Sequence, residues 1–293
     1  MEHFEGRVAV VTGGAGGIGR AMGEAFGHEG MRVVLADVQA EPLDATVAEL
    51  RADGLDVIGV VTDVSSYESV ESLRDRTLEA FGGVHVLCNN AGIGAGAEGR
   101  MWGHDLMDWN WAIAVNLMGV VHGINAFVPA MLEGGDEGHV VNTSSGNGGI
   151  SPLPGSPQYA VTKAGVVTLT ECLYGQLQDE GAPIGASVLF PGPHMLRTGL
   201  FESWRSRPDR YAKTRPRVSP YTTVEDLEEQ MAAAGITVSF TPVEEVAERV
   251  VAGIRSGDFW IHPASERSDD QLRARTESIL TRSNPSYLRA VPG

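Results

Sequence analysis

The chain has 293 residues, 42% of them apolar, which is enough for one large domain with a substantial core. Its formal charge of −16 opposes contact with phosphate backbones and anionic lipid surfaces, so neither nucleic acid nor a membrane is an expected partner. Cys88 and Cys172 stand far apart without companions at metal-ligand spacing, which speaks against a disulfide framework and a metal site and reads as two buried, reduced thiols.

The opening MEHFEGRVAVVTGG has no charged-then-apolar leader pattern, and no uninterrupted apolar run reaches the roughly 18 residues of a membrane span, so a cytoplasmic location is expected. Short β-branched runs then alternate with helix-period segments. Strands are expected at 7–12, 32–37, 57–62 and 84–88, with amphipathic helices near 18–29, 41–53 and 67–81 between them. The alternation continues through a helix at 105–133, a strand at 139–144, a helix at 157–179 and a strand at 184–190, and FWIH at 259–262 closes the set. Each connection is long enough for a crossover helix, which predicts an α/β domain with a doubly wound, parallel, seven-stranded sheet and helices on both faces. After Pro191 the pattern loosens into a segment rich in Pro, Arg and aromatics, followed by a short helical DLEEQMAAAG. This reads as a substrate lid over about 193–240 inserted in a single domain spanning 1–293, with a strand and helix extension at about 258–285.

TGGAGGIG at 12–19 lies between the first strand and the first helix. Gly13, Gly17 and Gly19 allow a tight turn and a close backbone approach to a pyrophosphate, which a helix N-terminus attracts. Ile18, Gly19 and Arg20 stand where a triphosphate-binding loop would carry its lysine, so a dinucleotide is favoured over ATP. Asp37 closes the second strand near the offset of a carboxylate that accepts hydrogen bonds from an adenosine ribose. That charge disfavours a 2′-phosphate and Ala15 offers no cation to one, so the expected cofactor is NAD (NAD+/NADH).

Tyr159 and Lys163 are four residues apart on an expected helix, hence on one face, where an ammonium would be expected to lower the pKa of the phenol. Together these residues resemble the short-chain dehydrogenase/reductase family, in its compact TGxxxGxG, NNAG, YxxxK form. The resemblance covers about residues 5–192: TGGAGGIG, Asp37, TDV at 62–64, NNAG at 89–92, Asn116, TSS at 143–145, Tyr159, Lys163, and Pro191 with Gly192 occur in the family's order. It implies a Rossmann-type fold in which Asp63 and Val64 hold the adenine and Asn90, Ala91 and Gly92 line the adenosine ribose side. Lys163 would also bind the nicotinamide ribose. Ser145 lies 14 residues before Tyr159, one more than the usual spacing, so Ser145 is favoured as the catalytic serine with Ser144 as the alternative. Thr198 follows the Pro-Gly pair at an unusual distance, across PHMLR.

The reaction this implies is interconversion of a secondary alcohol and a ketone. Tyr159 acts as acid and base, Lys163 stabilises its phenolate, Ser145 bonds the substrate oxygen, and Asn116 positions a water on a proton path. Phe201, Trp204, Tyr211 and Tyr221, with several arginines, suggest a roomy apolar pocket for a bulky aryl, terpenoid or steroid-like substrate. His194 reads as a loop or pocket residue, and Trp102, Trp109 and Trp111 as packing or interface residues. Two other functions share the fold: a catalytically silent NAD(H) sensor, and a sugar-nucleotide epimerase or dehydratase. The apolar faces of 105–133 and 157–179 predict a homo-oligomer, a tetramer before a dimer.

Overall fold

The structure is a computed structural model and describes residues 1, 3–94, 100–215 and 222–288. The expected β-branched runs form β1 (Val8–Thr12), β2 (Arg32–Asp37), β3 (Val57–Val61), β4 (Val86–Asn89), β5 (Gly138–Thr143), β6 (Ile184–Leu189) and β7 (Trp260–Ile261). All neighbours pair in parallel, in the order β3-β2-β1-β4-β5-β6-β7. Every residue of β1, β4 and β5 is buried, as a sheet covered on both faces requires.

Successive residues of β1 serve opposite faces. Ala9 and Val11 pack with Met22 and Phe26 of α1 (Gly17–His28) and with Leu43 and Leu50 of α2 (Ala40–Ala52). Val10 packs on the other face with Leu73 of α3 (Tyr67–Phe81), Phe127 of α5 (Gly119–Gly134), and Leu173 and Leu177 of α6 (Pro157–Asp179). The strand order reverses between β1 and β4, which opens a crevice beyond their carboxyl ends, the usual ligand position in such sheets.

Several features differ from the sequence reading. The expected helix at 105–133 is three segments in one run: α4 (Leu106–Ala112), a π-helical stretch at Ile113–Met118, and α5. By length and composition this run, Leu106–Gly134, is apolar enough to cross a membrane, although the apolar stretch is broken by polar residues; half of its apolar window is buried inside the protein, as for a core helix. Beyond the short α7 (Val224–Ala233), a helix not anticipated from sequence, α8 (Val243–Ser256), buries Val246, Ala247, Val250, Val251 and Ile254 beside α1. The spacing i, i+1, i+4, i+5, i+8 carries that signal plainly. Cys88 is buried in β4, but Cys172 on α6 is exposed, because it falls on the helix face turned from the sheet. The extension at the end of the chain is β7 followed by α9 (Glu266–Thr281), which buries none of its side chains.

Candidate active site

The glycine turn is shaped by close approaches. Gly13 has φ +71 and Gly17 φ +52, both favourable only to glycine. A Cβ on Gly19 would lie 2.0 Å from the Gly13 carbonyl oxygen, so no side chain fits there. The N-terminus of α1 has no side-chain cap and no acidic residue in its first turn, which leaves its positive end and backbone donors facing the crevice. A dinucleotide pyrophosphate fits this geometry, with Gly17, Ile18 and Gly19 supplying the N–H groups. Asp37 braces the turn from β2: one carboxylate oxygen accepts from Ala15 N–H at 3.1 Å and the other from Gln39 N–H at 3.0 Å. The one cation of that turn, Arg20, is paired with Glu49 at 2.7 Å.

Thr12 fastens the turn to the loop after β4. Its hydroxyl oxygen accepts from the N–H groups of Asn90 and Ala91 at 3.0 and 3.1 Å, while Asn90 Nδ2 donates to the Thr12 carbonyl at 3.0 Å. A Cβ on Gly92 would stand 3.4 Å from both Asn116 Oδ1 and Lys163 Nζ, so this loop, the π-helical stretch and α6 meet at one point. Asn116 is fully buried there. It accepts from Ile93 N–H at 2.8 Å and donates to the Ile93 carbonyl and to Thr162 Oγ1. π-Helical turns disturb the regular backbone ladder and recur at functional sites, and no residue pattern in the sequence marks this one.

The two serines after β5 part company. Ser144 is buried and donates to the Lys163 carbonyl at 2.8 Å. The Ser145 hydroxyl acts on the Tyr159 phenol, favouring its ionised form. Extended backbone at Ser145 turns its side chain toward α6, where it also accepts from Asn147 N–H at 3.2 Å. Of the pair, only Ser145 therefore faces the tyrosine.

Lys163 is buried, and its ammonium donates to the Thr143 carbonyl at 2.8 Å while standing 5.7 Å from the centroid of the Tyr159 ring. Burial pulls its pKa down to about 8. The expectation that Lys163 depresses the phenol is not met in this geometry. Burial pushes Tyr159 above its ordinary value, and the Ser145 hydroxyl is the only opposing influence. The lysine is fastened to the end of β5 rather than to the phenolic oxygen, and desolvation outweighs its charge at this distance.

At the adenosine end, Asp63 follows β3. It accepts from Ser65 Oγ at 2.6 Å and from Arg210 Nη2 at 2.6 Å; burial pushes its carboxyl up, but these bonds hold it below its usual value. His122 of α5 bonds the Val64 carbonyl at 2.8 Å through Nδ1. At the opposite end, Arg249 of α8 donates to the carbonyls of Pro191 and Gly192 at 2.7 and 3.0 Å and so fixes that loop. Thr198 lies against Gly17, where a glycine Cβ would meet its methyl at 3.1 Å. His194 is bound through its backbone N–H to Thr241.

The insertion is tied at its ends by a bridge between Met195 and Phe240. Its arginines are anchors rather than a pocket lining. Arg207 pairs with buried Asp108 and lies over the ring of buried Trp111, and Lys213 reaches Asp108 at 3.1 Å. Asp105 caps α4 and accepts from Thr214 N–H, Thr214 Oγ1 and Arg215 N–H. Its carboxyl is held down to about 2, first by Met107 N–H and then by these donors. Tyr211 packs beside Ile93 and Trp111, whereas Trp204 and Trp102 are exposed; Tyr221 lies outside the described residues. Asp105, Asp108, Arg207, Arg210 and Arg249 escaped the sequence reading; only Asp105, an acid at a helix start, carried a local signal.

The model of the short chain dehydrogenase family matches residues 7–209. The chain belongs to this family, whose members are oxidoreductases built around a nicotinamide cofactor. It is similar to a short-chain dehydrogenase/reductase of Burkholderia phymatum solved in complex with NAD, with TM-score 0.87 and 38% identity over 99% of this chain and 100% of that one. The C alpha-dehydrogenase of Sphingobium sp. strain SYK-6 is 32% identical over 91% of this chain and 83% of its own length. An actinorhodin polyketide ketoreductase solved with NADPH matches with TM-score 0.69 and 29% identity, over 87% of this chain and 92% of that one.

Proposed function

We propose that this protein interconverts a secondary alcohol and a ketone on a bulky hydrophobic substrate, with NAD(H) as its cofactor. The observation that carries the reading is the buried Lys163 ammonium, fastened to the Thr143 carbonyl 5.7 Å from the Tyr159 ring, with the uncapped α1 N-terminus across the crevice. When bound, the nicotinamide takes up or supplies the hydride. The protein binds, orients and moves the proton. Gly13, Gly17, Ile18 and Gly19 hold the pyrophosphate. Asp37 receives the ribose hydroxyls and repels a 2′-phosphate, with Arg20 neutralised by Glu49; this supports NAD over NADP. Asp63, Val64, Asn90, Ala91 and Gly92 line the adenosine half, and Pro191 and Gly192 border the nicotinamide. C alpha-dehydrogenase, the name of the Sphingobium relative, accords with action at a carbinol carbon.

In this mechanism Ser145 and Tyr159 grip the substrate oxygen together. Tyr159 donates its proton as a carbonyl becomes an alcohol and removes one in the reverse direction, while Lys163 keeps positive charge near the phenolate and Asn116 holds the proton path between α5 and α6. Because burial holds the phenol protonated above its ordinary range, reduction is favoured at neutral pH and oxidation gains rate as pH rises. Rates in both directions, measured from pH 6 to 10 with NAD and NADP and a panel of aryl ketones and alcohols, test the reading. Oxidation that slows steadily toward alkaline pH overturns the role of Tyr159, and equal efficiency with both cofactors overturns the role of Asp37. We also propose a cytoplasmic homotetramer assembled through the α4–α6 faces, where Ile113, Met118, Val161 and Tyr174 are exposed; light scattering showing a monomer would exclude it.

A further inference from the structure

Residues 198–215 touch the crevice at three places in turn. Thr198 meets the glycine turn at the end of β1; Leu200 and Ser203 meet Gly94 after β4, with Gly94 N–H donating to Ser203 Oγ at 3.2 Å; Arg210 reaches Asp63 and Ser65 after β3. In the strand order β3-β2-β1-β4, those contacts lie on both sides of the crevice. The segment is also unlike the rest of the chain in charge. Between 205 and 215 it carries five cations and one acid, within a protein of net charge −16. At α4 it is pinned by Asp105 and Asp108.

Arg210 is the contact at the adenosine end. Its guanidinium donates to Asp63 Oδ2 and to Ser65 Oγ at 2.6 and 2.7 Å, and lies 5.0 Å from the centroid of the Tyr211 ring. Asp63 is the residue to which the proposed function gives the adenine, so Arg210 stands at that ring's position from the insertion side. We propose that residues 198–215 form a strap that retains the bound dinucleotide and that the Arg210–Asp63 pair is its catch, making Arg210 a cofactor-positioning residue. This rests on the proposed function.

The test is release of NADH, followed by stopped-flow fluorescence after mixing the binary complex with excess ADP-ribose, with thermal unfolding measured on each variant. The pair is half exposed, so its opening contributes a modest factor: Arg210→Met is expected to release NADH about three- to fivefold faster. Raising salt should move the wild-type rate toward that of the variant, because screening weakens the same pair. Lys213→Met removes a pin on α4 without touching Asp63 and should also speed release, by a smaller factor. Unchanged release in Arg210→Met, even with a lowered melting temperature, overturns the proposal by reducing Arg210 to a structural anchor. Faster release in Arg210→Met with no change in Lys213→Met overturns the strap, since Arg210 would then act by itself. A wild-type protein that binds neither NADH nor NADPH overturns the proposed function as well.

Discussion

On the β1–β3 side of the crevice the chain offers backbone to the proposed cofactor, and on the β4–β6 side it presents buried side chains. The first wall depends on what is absent: no Cβ at Gly19, no side-chain cap on α1, and Arg20 of the turn already paired with Glu49. The second depends on what is enclosed: a phenol pushed up by burial, an ammonium pulled down by it, and a buried amide with its bonds satisfied by Ile93 and Thr162. On the proposed function, the difference teaches that binding and chemistry are separable. Steric faults should damage the first wall and electrostatic faults the second.

Tyr159→Phe should show the largest effect. It keeps the ring and removes the ionisable oxygen, so turnover should fall by about 10²- to 10⁴-fold while NADH affinity holds within about a factor of two. Turnover near wild type in steady-state assays would place the chemistry elsewhere. Gly19→Val attacks the opposite wall. With a Cβ position 2.0 Å from a backbone oxygen, the turn must deform, and NADH binding by titration should weaken about 10- to 100-fold. Near-normal affinity would mean that the turn does not seat the pyrophosphate. Asp37→Ser is milder, removing one charge from an intact turn; the preference for NAD over NADP should narrow about tenfold in kcat/KM, or the carboxylate is not the discriminator.

The smallest expected effect concerns stability, and it runs against activity. The Lys163 ammonium titrates at about 8 in the fold against 10.5 ordinarily. Between those values the unfolded chain holds more protons, so stability rises with pH there, and at pH 7 the whole cost of the buried charge stands. Lys163→Met removes that cost and loses one hydrogen bond to Thr143, so urea unfolding at pH 7 should show a gain of about 1–2 kcal/mol together with collapsed turnover. A clear loss of stability would show that the Thr143 bond outweighs the burial.

Periodicity and punctuation made the sheet and most of its helices legible, because parallel strands buried on both faces read as β-branched runs and the glycine turn follows the first of them. Tyr159 and Lys163 were legible for a similar reason: helix spacing alone puts them on one face. What escaped depends on contacts between distant segments. No local pattern tells that Ser144 turns back to the Lys163 carbonyl while Ser145 faces the phenol, or that the Lys163 ammonium is held by Thr143. The arginines of the insertion looked like pocket lining because their partners, Asp63, Asp105 and Asp108, lie about a hundred residues or more away. The exposure of Cys172 follows from which face of α6 meets the sheet, a rotation its weak amphipathicity left undetermined.

The bridge between Met195 and Phe240 has a bearing on how this chain can change over time. It joins the two ends of the insertion just beyond β6 and just before α8, so the insertion leaves and rejoins the fold at one point, with further pins at Asp63, Asp105 and Asp108. For a loop closed in this way, the entropy of closure grows only with the logarithm of its length, and doubling it adds about 0.6 kcal/mol. Between those pins, residues can be gained or lost at a cost smaller than that of one misplaced methyl group in the core. The proposed roof over the substrate can thus be rebuilt between those pins while the end of β5 and α6, which position Ser145, Tyr159 and Lys163, remain the same.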